Sequence, residues 1–104
     1  MYAMTINSNT HTVPTPPSGY KTYSGGTTVK GFILGDYTYW PYDDVNNMSD
    51  LIIVAYDSNG VEQRRFSYSG RYTSSIIIDN INQTVQLTLQ SNTLTLNWSD
   101  LKLN

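Results

Sequence analysis

From Val85 onward, apolar residues fall on every second position. Val85, Leu87 and Leu89 alternate with Gln86, Thr88 and Gln90, and Leu94, Leu96 and Trp98 alternate with Thr95 and Asn97. A period of two is the signature of a strand with one buried face. Ser91-Asn92 between the two runs predicts a two-residue hairpin loop, since Asn tolerates positive φ. That register pairs Leu89 with Leu94, Leu87 with Leu96 and Val85 with Trp98. All six then share one face, because side chains two apart point the same way.

The pattern upstream is also β. Leu51 to Tyr56 is nearly all apolar, as expected of a strand buried on both faces. Asp57-Ser-Asn-Gly60 is a turn by its chemistry, since Asp and Asn bond their own backbone and Gly supplies positive φ. Val61 to Tyr68 returns, with Arg64, Phe66 and Tyr68 on one face, and Ser69-Gly70 breaks it. Tyr72 to Ile78 is the next strand, and Asp79-Asn80 turns toward Val85. Thr28 to Leu34 opens the body, with Gly31 and Gly35 at bulge or edge positions. Tyr37 to Trp40 is a short strand ended by Pro41, and Asp43 to Asp50 is a polar loop or one helical turn. No segment keeps a 3.6-residue period, so almost no helix is expected. The predicted fold is all-β: an antiparallel β-sandwich or small barrel of six to seven strands with an extended N-terminal arm.

The arm is residues 1–27 and the β domain residues 28–104. Three of the four prolines lie between His11 and Gly19, and Ser24-Gly25-Gly26 is a second break. Proline lacks an N–H and is excluded from central strands. The arm therefore reads as extended, with a short strand near Met4–Asn7. The opening residues carry neither a basic stretch nor an apolar run of about 7–15 residues, which predicts no signal peptide and synthesis in a cytoplasm. The longest apolar run is far short of the roughly 18–20 residues that cross a bilayer as a helix, so no membrane partner is expected.

Several chemistries lack the residues they need. There is no Cys and a single His, His11 in the polar arm, so a Ser-His-Asp or Cys-His site has no positioned base. Six basic residues against eight acidic ones give no phosphate-tracking field, and no nucleic-acid partner is expected. Arg64 and Arg65 point to opposite faces of their strand, and Arg71 is placed to pair with a nearby acid. Most of the acids sit at turns. The acidic stretch Asp43 to Asp50 offers Asp43, Asp44, Asn46 and Asp50 as oxygen ligands for calcium, but without the spacing of an EF-hand loop. No cofactor or catalytic residue is expected.

Aromatic residues supply the candidate site. Seven of the thirteen lie between Tyr20 and Tyr42. Tyr20, Tyr23, Tyr37, Tyr39, Trp40 and Tyr42 combine apolar rings with polar tips, which suits a protein interface or a sugar-stacking surface. The same rings could instead cover one end of the core.

The half from Leu51 to Leu101 resembles small accessory β-sandwich proteins of bacteriophage virions. The likeness lies in the D-x-N-G turn, the Gly70-Arg71-Tyr72 strand opening, the Ile76 to Asp79 strand end, the Thr84 to Leu87 strand and the closing Trp98-Ser-Asp-Leu101. It implies a decoration, neck, fibre or tail-accessory subunit located in the virion, and it carries over no functional residues. The expected function is that of a non-enzymatic structural or interaction protein. It would bind protein subunits of a larger assembly, as a homo-oligomer or within a virion, through the arm and the aromatic surface. The alternative is a lectin-like, carbohydrate-binding module with a glycan stacked on Trp40 and its neighbouring tyrosines.

Overall fold

The computed structural model describes residues 4–7, 13–22, 31–47 and 49–103, with residues 4–7 and 74 described by their backbone alone. The strands are β1 (Met4–Asn7), β2 (Tyr20–Lys21), β3 (Gly31–Leu34), β4 (Tyr37–Asp44), β5 (Asp50–Tyr56), β6 (Glu62–Ser69), β7 (Tyr72–Asp79), β8 (Thr84–Leu89) and β9 (Thr93–Asn97). One helical turn, α1 (Trp98–Leu101), follows β9. The fold is all-β, with two antiparallel sheets. The larger runs β1-β3-β4-β5-β6, with β2 also paired to β4, and the smaller runs β7-β8-β9. Neither sheet closes into a barrel.

β5 is the axis of the larger sheet. Leu51, Ile53 and Ala55 face the smaller sheet and join Phe32, Leu34, Tyr39 and Phe66 in a core shared with Tyr72, Ile76, Val85, Leu87, Leu89, Leu96, Trp98 and Leu101. Ile52, Val54 and Tyr56 face the other way and form a second buried cluster with Trp40 and Tyr42. The apolar run thus reflects burial on both faces, as its composition predicts.

The second cluster lies on the side away from the small sheet, and the arm packs against it. Val13 and Tyr20 lie on it, and the Tyr42 hydroxyl donates to the Pro14 carbonyl at 3.2 Å. β1 extends the sheet at β3, and β2 pairs with the far end of β4. Trp40 needs a further concession from the backbone. Its indole lies so close to Gly31 that a Cβ there would come within 2.7 Å of the ring and 2.6 Å of the Tyr39 carbonyl oxygen. Gly31 is therefore a close-approach glycine and not the bulge or edge residue expected. Gly35, at φ +64°, begins the Gly35-Asp36 turn joining β3 to β4, as a two-residue loop with glycine first requires.

Three local expectations are corrected. β4 does not stop at Pro41 but continues to Asp44, with Pro41 opposite Ile53. Proline is tolerated there because β3 pairs only the first part of β4 and β2 only its last two residues, so the missing N–H falls between the two neighbours. The β8–β9 hairpin turns one residue earlier than expected. Leu87 faces Leu94, Val85 faces Leu96, and the Leu89 N–H donates to the Asn92 carbonyl. The loop is Gln90-Ser91, and neither it nor Asn92 has a positive φ. The partners shift by two, so the same side chains still face inward. Trp98 then falls beyond the ladder and starts α1, while its ring remains buried.

Both halves of this packing can be tested. Leu87 is fully buried, so Leu87→Ala should cost about 2–5 kcal/mol in urea unfolding; a loss below about 1 kcal/mol would make the hairpin peripheral. Deleting residues 1–22 should uncover Trp40 and Tyr42, lower Tm and shift tryptophan emission to the red. An unchanged Tm and spectrum would mean that the arm is not needed to cover the outer cluster.

Candidate functional site

Tyr39, Trp40 and Tyr42 do not form an open surface. Along β4, side chains alternate between the two clusters, with Tyr39 in the shared core and Trp40 and Tyr42 in the outer one, each no more than 1% exposed. Tyr39 stacks on Phe32 with centroids 4.9 Å apart, and its hydroxyl donates to the Leu101 carbonyl at 2.6 Å, tying α1 to β4. The Tyr42 and Tyr56 hydroxyls lie 3.0 Å apart in a hydrogen bond, and burial pushes both phenols above the usual tyrosine range. Tyr37 and Tyr20 are half-buried, each packed against one of the clusters. Tyr23 and His11 lie outside the described residues. The expectation of a solvent-facing stack on Trp40 is thus corrected. A strand in the middle of a sheet covered on both sides has no wet face.

Asp44, Asp50, Asp57, Asp79, Glu62, Arg64 and Arg65 are engaged in local contacts. The Asp44 carboxylate accepts the N–H groups of Asn46 and Asn47, and Asp50 accepts the Asn47 side-chain amide. Asp57 accepts the N–H groups of Asn59 and Val61 across its turn, where Gly60 has φ +78°. Asp79 is held below its ordinary pKa by the backbone and side-chain N–H groups of Asn82, with Ile81 adding a third bond. Arg64 lies 4.8 Å from the Phe66 ring centroid, while Arg65 pairs with Glu62 at 2.6 Å, in keeping with opposite faces of β6. Among the described residues, no group of three or more His, Cys, Asp or Glu side chains is arranged to hold a metal ion.

Asp43 is the exception among the acids. It is buried at the end of β4, where its Oδ1 accepts the Tyr72 N–H at 3.0 Å and so joins the two sheets. Its Oδ2 has no hydrogen-bond partner among the described residues. Burial raises its pKa, against the opposing pull of the Tyr72 N–H, Arg71 and Lys21. Beside this junction the chain crosses from one sheet to the other at Gly70-Arg71. A hollow of about 260 Å³ opens there, lined by Ser49, Ser69, Gly70, Arg71, Gln90, Ser91 and Asn92.

A second open feature is the outward face of the small sheet. The registers place Ser75, Thr88 and Thr93 in one row, Ile77, Gln86 and Thr95 in the next, and Asp79, Thr84 and Asn97 in the third. All nine are exposed or half-buried. The face carries hydroxyls and amides, a single charge at one corner, and an Ile77 that is 57% exposed. Ile81, in the turn below, is 91% exposed. Sequence reasoning used the alternation here only to find the buried half. A signal for the other half was present, since Asp79 is the only charged residue from Tyr72 to Asn97.

A raised Asp43 pKa means that the folded chain holds this proton more tightly than the unfolded chain. Its contribution is therefore most favourable below the unfolded pKa of about 3.9 and is lost as pH rises toward the folded value. Asp43→Asn retains the acceptor for Tyr72 and removes the buried charge. It should be at least as stable as wild type at pH 7 in urea unfolding, with any advantage shrinking toward pH 4. Asp43→Leu should lose about 1–3 kcal/mol by orphaning the Tyr72 N–H. A large loss for Asp43→Asn at pH 7 would show instead that the ionised form is the stabilised one. No protein family, curated protein or solved structure matches the chain.

Proposed function

We propose that the protein is a non-enzymatic structural subunit, built as a β-sandwich, that binds neighbouring proteins in a larger assembly. In this reading the assembly is a bacteriophage particle, and the chain is a decoration, neck, fibre or tail-accessory component. The observation that carries the interaction role is the outward face of β7-β8-β9, which is broad, nearly free of charge and bordered by exposed Ile77 and Ile81. Depletion of charge with apolar side chains left in water is characteristic of the centre of protein interfaces. In this reading the small sheet, and not Tyr39, Trp40 and Tyr42, which are buried, offers the binding surface. Carboxylates engaged in turns and at the sheet junction also support a role outside catalysis.

The carbohydrate-binding alternative loses its stacking platform, because Tyr39, Trp40 and Tyr42 are buried. The hollow at Arg71 has hydroxyl and amide side chains, but among the described residues no aromatic ring lines it.

Particle fractionation tests the proposal. A tagged chain expressed during infection should sediment with assembled particles in a density gradient, and Ile77→Lys should reduce its recovery there. Recovery of the wild-type chain only among free soluble proteins would overturn the virion role.

A further inference from the structure

We infer that the chain pairs with a second copy of itself along the outer edge of β9, joining two three-stranded sheets into one continuous antiparallel sheet. This rests on the interaction reading above and names its first partner.

The backbone bonding pattern exposes this edge. The Leu89 N–H donates to the Asn92 carbonyl, and the Trp98 N–H donates to the Gln83 carbonyl. Because bonded pairs alternate along an antiparallel ladder, Asn92, Leu94, Leu96 and Trp98 turn their N–H and C=O groups toward β8. Thr93, Thr95 and Asn97 turn theirs away. Among the described residues β9 is the last strand of its sheet, and all three residues are exposed.

The edge is complementary to itself. Folded about a two-fold axis at Thr95, Thr93 meets the partner's Asn97, Thr95 meets the partner's Thr95, and Asn97 meets the partner's Thr93. These are the positions with outward backbone groups, so each pairing exchanges both N–H···O bonds. On the outward face the threonines meet as a cross-strand pair. On the inward face Leu94, which is only half-buried, gains the partner's Leu96. A closed two-fold contact also leaves no exposed β9 edge to template further addition.

Charge and register distinguish this edge from those of β6 and β7. A charged residue on a two-fold axis meets its own copy. β9 carries no charge, whereas β6 carries Glu62, Arg64 and Arg65, together with a register irregularity opposite Ala55 and Tyr56. Such charges and bulges are common devices by which edges resist pairing. The β7 edge has its own irregularity between Tyr72 and Ser75 and ends at Asp79.

The test is the mass of the purified full chain in solution from about 1 to 500 µM, measured by sedimentation velocity and light scattering. A dimer is expected. Thr95→Lys sets like charges together and should weaken association by at least about tenfold. Thr95→Pro removes an N–H that points away from β8, and should have the same effect while leaving the β8–β9 ladder intact. Both variants should keep the wild-type far-UV spectrum. Mixing Thr95→Lys with Thr95→Glu should restore a mixed dimer. A wild-type chain that stays monomeric, or a dimer that survives both substitutions, overturns the inference. So does a dimer lost to Ile77→Lys but not to Thr95→Lys, which would place the contact on β7. A monomeric pure chain that still sediments with particles would defeat this edge pairing and leave the subunit reading intact.

Discussion

Burial of β5 on both faces is the constraint on which the rest of the structure depends. Leu51, Ile53 and Ala55 need one cover, and Ile52, Val54 and Tyr56 need another. The smaller sheet supplies the first and residues of the arm contribute to the second. A strand of this kind cannot lie at an edge or against water, so β4 and β6 flank it and the sheet grows outward from there. Each buried side chain of Leu or Ile size contributes about 1.5–3 kcal/mol, an upper estimate. Loss of either cover would therefore take away a large share of a typical net stability of about 5–15 kcal/mol.

The two sheets meet through polar as well as apolar contacts. Asp43 reaches from the end of β4 to the Tyr72 N–H, and Tyr39 reaches from the middle of β4 to the Leu101 carbonyl. Both bonds run from the large sheet to segments of the second half of the chain, and both are buried, where an unmatched donor would be costly. They hold the small sheet and α1 in place over the shared core. The small sheet turns its own outward face to solvent, and that face, in place of the tyrosine-rich strand, is available to a neighbour.

Alternation was legible because it reports a local property: which side of a strand faces apolar surroundings. It identifies β8 and β9, the unbroken apolar run identifies the doubly buried β5, and turn chemistry identifies the Asp57–Gly60 loop. Less legible was anything that depended on partners. The β8–β9 register slid by two positions because such a slip leaves every side chain on its face, so the hydrophobic pattern cannot penalise it. Pro41 looks like a strand end in the sequence because its tolerance depends on where β3 stops and β2 begins, which no local pattern contains.

The amino-acid sequence by itself determined that this chain is β-structured, where most of its strands run, and that one long stretch of its second half is almost without charge. Only the tertiary structure decided that Tyr39, Trp40 and Tyr42 are core and that the outward residues of the uncharged stretch line up across β7, β8 and β9. The physical reason is that a ring with a polar tip suits an interface and a core equally well. Which of the two it joins depends on whether distant segments, here the arm at Val13 to Tyr20 and the turn at Leu101, fold over it.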